Sequence, residues 1–346
     1  MKLKTNRRNN MCLSNNRYPE ARVDFNDTIL LGLEMADGSH VVGYYNKVTA
    51  RNAAKAAKNQ DFGWKVGAAE IEGDFGWHVK ESVPPTGNAM LIAIPAEPGT
   101  VSAKNLIPVA KYPHFMEDYK KAVAPKPRVL RDNPSNSSFG ASKGMPKVVK
   151  GFDNGTYDVV LSPSAKAILT VINQIDKDKR PQVNEMLYSQ LDLLYPDFTF
   201  VLFCFAEEDK ERSGCALIKY TPRKGSEHLL YLPGLDGHNG TVETGEVELN
   251  HTLVIGSYRM PSCFGEQVIF RDLNFLADHR DFPNQVIGKI VTKGTRAPQG
   301  DFLFLLEDVR KGKFRCKRQL PPGWASVFGS NGVSLTPFFI HKDEQG

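Results

Sequence analysis

Apolar residues recur along this chain at two spacings, and each predicts a different kind of element. Thr28–Glu34 (TILLGLE) and His40–Asn46 (HVVGYYN) are apolar runs on either side of Ala36-Asp37-Gly38. Asp-Gly between two such runs predicts a β-hairpin, because the turn needs backbone angles that glycine tolerates best. Asn88–Pro95 (NAMLIAIP) reads as a further strand, stopped by Pro95 and the Pro98-Gly99 turn. Phe198–Ala206 (FTFVLFCFA) is apolar at every second position and also between. That pattern predicts a central strand covered on both faces. Tyr157–Leu161, Cys215–Tyr220, Leu229–Pro233, Val247–Gly256, Gln285–Val291 and Asp301–Val309 read as the remaining strands.

Helical spacing appears in fewer places. After Ser162-Pro163, residues Ala165, Ile168, Leu169 and Ile172 share one face. Pro181 opens a second helix, in which Val183, Met186, Leu187, Leu191 and Leu194 repeat. Ala50–Asn59 and His114–Val123 read as shorter helices. A few helices packed on mostly antiparallel sheets define an α+β protein. Strand and helix alternate too rarely for a doubly wound parallel sheet, and no period of solenoid length is visible.

Composition divides the pattern. The chain has 346 residues, of which 24% are charged and 41% hydrophobic. Residues 1–22 carry six Lys/Arg against one Glu, and residues 120–150 carry eight against one Asp. The stretch from Val123 to Lys150 (VAPKPRVLRDNPSNSSFGASKGMPKVVK) is rich in Pro, Ser, Asn, Gly and Lys. It reads as a flexible basic linker. The expected layout is a basic disordered tail (1–22), a β-rich block (23–122), the linker (123–150) and an α+β block (151–346). No run is long and apolar enough for a membrane span. The basic start lacks the apolar core of a secretory signal. Five cysteines, an odd number with no C-x-x-C spacing, argue against a disulfide scaffold and a zinc knuckle. A reducing, cytoplasmic setting follows.

Little in the chain reads as chemistry. GxGxxG, Walker, GxSxG and HExxH motifs are absent, so no cofactor is expected. Ser162 and Lys166 stand four apart, where a Ser/Lys nucleophile pair needs three. Cys204 lies in the apolar strand and reads as core. A turn near Asp209–Lys210 would set Cys215 opposite it. The stretch His228–Glu243 (HLLYLPGLDGHNGTVE) holds His228, Asp236, His238 and Asn239, and His251 follows. Histidine with carboxylate is a ligand set for zinc or another divalent ion. If residues 228–233 pair with 247–253, His228 and His251 lie side by side, and His238 must fold back to join them. The same residues also make an ordinary turn, through Asx bonds and glycine freedom.

Thr28–Asn46 (TILLGLEMADGSHVVGYYN) resembles the first hairpin of choloylglycine-type N-terminal nucleophile hydrolases. The resemblance implies amide hydrolysis with Thr28 as catalytic nucleophile, after cleavage of the Asp27–Thr28 bond frees its α-amine as the base. Family members carry Cys at this position. They also carry Arg where Tyr44 stands, and an Asp after the Asn, where this chain has Lys47. Three functions therefore remain open. The first is a non-enzymatic binding or assembly protein with a protein partner, presenting the loops Gly234–Thr244 and Gly323–Gly332. The second is a hydrolase, using Thr28 or a metal in the 228–251 region. The third is a nucleic-acid accessory protein acting through the basic segments.

Overall fold

The computed structural model describes residues 23–50, 87–97, 99–124, 145–206, 215–235, 242, 244–291, 294–328 and 338–341. The expected tail, the expected helix over Ala50–Asn59 and most of the expected linker lie outside these residues.

Period-two apolar patterning builds the sheets. β1 (Val23–Glu34) and β2 (His40–Ala50) form the expected hairpin, with Glu34 opposite His40 and Gly38 at φ 79°. β3 (Asn88–Ile94) lies across from β6 (Thr199–Phe205). β6 also pairs with β5 (Tyr157–Ser162), which pairs with β4 (Lys147–Phe152). The resulting four-stranded sheet runs β3-β6-β5-β4. β4 shows that regular structure begins within the expected linker, at Lys147.

A six-stranded sheet is completed by β7 (Cys215–Tyr220), β10 (Thr252–Ser257), β11 (Glu266–Gln267) and β12 (Gln285–Ile290), in the order β11-β12-β10-β1-β2-β7. Its β1/β10 pair is parallel and every other pair in it antiparallel. A second four-stranded sheet joins β8 (Leu229–Leu232), β14 (Asp301–Leu305), β15 (Arg315–Gln319) and β16 (Phe338–His341). β9 (Glu246–Leu249) pairs with β13 (Thr295–Pro298). The fold is α+β with mostly antiparallel sheets, as the patterning predicts. Strands from both expected blocks share sheets: β1 bonds to β10, β2 to β7 and β3 to β6. The blocks at 23–122 and 151–346 are therefore interleaved rather than folded side by side.

The layers explain the continuous apolar runs. Along β6, Val201, Phe203 and Phe205 enter a central core shared with Leu30, Val42, Ile218 and Leu253 of the six-stranded sheet. Phe200, Leu202 and Cys204 turn the other way, onto α2 (Ala165–Val171) and α3 (Glu185–Leu194). On the far side of the six-stranded sheet, Ile29, Leu31, Leu217 and Val254 pack on α1 (Phe115–Val123) and on Phe275 of α4 (Leu273–Asp278). A strand apolar at every position is thus one covered on both faces.

Several local readings change. Ser164 caps α2, accepting from Ala167 N at 3.1 Å. Asn184 caps α3, accepting from Met186 N and Leu187 N, while Pro181 bridges to Gly87. The expected long strand Val247–Gly256 breaks into β9 and β10 at Asn250-His251. The run Asp301–Val309 is strand only to Leu305 and continues as α5 (Leu306–Arg310), where Leu306 and Val309, three apart, share a buried side. The expected loop after Gly323 begins with a short helix, α6 (Trp324–Phe328).

Candidate functional site

Of the candidate site residues, Thr28, His228 and His251 lie among the described residues. Thr28 is buried inside β1, in an irregularity between the pairs Asn26/Lys47 and Ile29/Tyr45. Its hydroxyl lies 3.4 Å from Asn46 Oδ1, and Asn46 Nδ2 donates to the Tyr44 hydroxyl at 3.1 Å. β1 pairs upstream of Thr28 as far as Val23/Ala50.

His228 is exposed, and its carbonyl accepts from Leu306 N. His251 is buried between β9 and β10, its ring 6.0 Å from that of Phe302. β8 pairs with β14, not with the 247–253 stretch, so the expected side-by-side hairpin placement of His228 and His251 does not form. Asp236, His238 and Asn239 lie outside the described residues. Among the described residues, no three His, Cys, Asp or Glu gather in a metal-binding group. Cys204 and Cys215 belong to different sheets, so they do not face each other across a hairpin. Burial pushes both thiols far above their ordinary pKa, and Cys316 up to about 12. None is a thiolate at neutral pH.

Two buried polar clusters went unseen in the sequence. In the first, cross-strand register lines up Ser257, Glu34, His40 and Tyr220 across four neighbouring strands. Glu34 accepts from Ser257 Oγ at 2.5 Å, from Arg310 Nε at 2.9 Å and from Arg310 Nη2. Arg259 stands 3.8 Å away. Burial pushes the Glu34 carboxyl up, but these donors outweigh it and hold it below the usual carboxylate value. His40 is buried edge-on to Tyr220, and neither ring nitrogen has a hydrogen-bond partner. Burial pulls its pKa down to about 4, so the ring is neutral. Ser257 gives its proton to a carboxylate already filled by arginine, so this row is a clamp between β1, β10 and α5 rather than an activated nucleophile.

The second cluster surrounds Asp301, at the start of β14 and 3% exposed. Gly234 N and the Tyr195 hydroxyl donate to it. Its signal in the sequence was an aspartate opening the apolar run DFLFL. That is a position where solvent exposure would have been the ordinary expectation.

The surface feature that stands out is the edge of the six-stranded sheet at β11. The opposite edge, β7, is covered: Ile107 N donates to Leu217 O, and Asn105 Nδ2 to Lys219 O. The outer strand β4 carries exposed lysines 147 and 150, the usual protection of an edge. At β11, Val268 N bonds inward to Asn284 O. Strand alternation therefore turns the backbone groups of Gln267 outward. Beside them Ile269 is 76% exposed and Leu273 79%, with Phe264 at 42%. Other exposed apolar side chains, Met145, Met186, Leu193 and Leu305 among them, stand elsewhere on the described surface.

Compared with known proteins, the chain matches no family model and no curated protein. Among solved structures it is similar to the crystal structure of baculovirus P35, with 11% identity and a TM-score of 0.36, covering 83% of this chain and 90% of that one. It is also similar to a mutated baculovirus P35 after caspase cleavage, with 10% identity and a TM-score of 0.31, covering 82% and 91%. Similarity this slight transfers no function.

Proposed function

We propose that this chain is a non-enzymatic binding module that takes an extended segment of a protein partner along the β11 edge. The carrying observation is the exposure of Ile269 and Leu273 beside outward-facing backbone groups. A segment added there would gain main-chain hydrogen bonds at Gln267, and its alternate side chains would cover the apolar residues. Covering Ile269 and Leu273 would contribute roughly 1.5–3 kcal/mol each before the cost of ordering the partner. The buried polar groups support this reading, since Glu34 is saturated by donors and the buried thiols are protonated. The exposed free thiol of Cys263, beside the same edge, suits a reducing compartment such as the cytoplasm.

Peptides selected from a random display library should bind in titration calorimetry and slow hydrogen exchange at the Gln267 amide. Ile269→Lys should weaken them at least about tenfold while leaving the melting temperature unchanged, because the side chain is exposed. A library that yields no binder overturns the proposal. So do peptides that protect other amides or bind Ile269→Lys undiminished.

A further inference from the structure

We infer that the segment taken along β11 presents a basic side chain, lysine or arginine, to Asp272; this rests on the reading above and names the chemistry of its partner. Asp272 stands between two exposed apolar residues of that surface, Ile269 and Leu273. It immediately precedes α4, where an aspartate ordinarily accepts from an amide of the first turn. Here its backbone carbonyl accepts from Phe275 N at 2.9 Å, but its side chain makes no capping bond. Its Oδ2 is shielded from solvent and has no hydrogen-bond partner among the described residues. A carboxylate can only accept, so a shielded oxygen left without a donor is costly. A native fold seldom leaves such a group unmet, and a partner can supply the donor.

The cations nearby do not meet this need. Arg271 donates through Nε to Asp118 Oδ1 at 2.6 Å, through its backbone N to Asp118 Oδ2 at 2.9 Å and through Nη2 to Glu117 Oε2 at 3.0 Å. One guanidinium thus serves two carboxylates, and the surroundings stay acidic without counting Asp272. Asp278, at the far end of α4, accepts from the Tyr112 hydroxyl, a neutral donor that leaves its charge in place. Arg280 lies beyond that end, with α4, about 9 Å of helix, between it and Asp272. Lys120 and Lys121 sit in the last turn of α1, while its first turn, with Glu117 and Asp118, is the one that meets Arg271. A lysine or arginine fits both halves of the surface. Its aliphatic stem covers Ile269 and Leu273 while its head group reaches the carboxylate. An acidic side chain at the same place would be repelled by Asp272.

The display-library peptides that bind the wild-type chain should carry lysine or arginine at a shared position, and added salt should weaken them. Replacing that residue with methionine, which keeps an apolar stem, should lower affinity about tenfold, the loss of one charged hydrogen bond. Asp272→Asn should lower the affinity of the unaltered peptide by a similar factor. In Asp272→Asn the methionine peptide should bind as well as the basic one, because the pair is already broken. Binders that lack a basic residue, yet are weakened by Ile269→Lys, overturn the inference and leave the docking surface standing. A basic peptide that binds equally well after the methionine replacement has the same effect. A library without binders overturns both readings. The methionine peptide titrated into the wild-type chain decides even if Asp272→Asn folds poorly.

Discussion

Glu34→Gln would leave Arg310 beside a neutral amide at the end of three bonded elements. Breaking such a buried pair costs roughly 3 kcal/mol, toward the lower end of the usual range because Arg310 is 34% exposed. Chemical denaturation should show this loss. The depressed Glu34 pKa makes its contribution complete above the ordinary glutamate value of 4.5, with loss as pH falls through the lower folded value. His40 acts over a higher window. Its folded value near 4 lies below the ordinary 6.5, so between these pH values the unfolded chain takes up a proton that the folded one refuses. Stability should therefore fall by up to about 3 kcal/mol as pH drops from 6.5 to 4. His40→Leu should flatten this slope in melting experiments run across that range. Neither residue announced itself in the sequence. A glutamate ending a strand and a histidine opening one are ordinary hairpin residues until β10 and α5 bring Ser257 and Arg310 to them.

Elements were more legible than their partners. The Asp-Gly hairpin, the apolar β6 and the helical spacing of α2 and α3 were legible because burial on one face or two leaves a local trace, but Met186, expected in the apolar repeat of α3, is 63% exposed. Which strand meets which leaves no such trace. A turn between Phe198–Ala206 and Cys215–Tyr220 suggested a hairpin, yet the chain passes from one sheet to another there. The same error placed His228 beside His251. Phe203→Ala should cost about 3–5 kcal/mol, since Phe203 is fully buried against Tyr157 and Phe152. A change in denaturation midpoint below 1 kcal/mol, roughly that of a surface substitution, would place β6 outside the core. Asn184→Ala should cost about 1 kcal/mol by removing the α3 cap. Among the described glycines, Gly323 has the least room: a Cβ there would stand 1.6 Å from Leu193 O. Gly323→Ala should therefore force α6 off α3, costing about 3 kcal/mol in the same assay.

At the scale of the molecule, the parallel joining of β1 to β10 governs how the chain reaches this state. Glu34 and Ser257, neighbours in that ladder, are 223 residues apart. The hairpin of β1 and β2 can form early, but one flank of β1 has no strand until Thr252–Ser257 has been synthesised. Closing so long an interval is entropically slow, and topologies of this kind refold in milliseconds to seconds rather than microseconds. Stopped-flow refolding should show a main phase in that slow range, and single-mixing kinetics in microseconds would contradict it. During synthesis the exposed flank of β1 is an apolar template open to other chains, so a nascent chain halted before residue 252 should aggregate or recruit a chaperone. The pairing that seals the centre of the finished sheet is thus also an opportunity for misassembly on the ribosome.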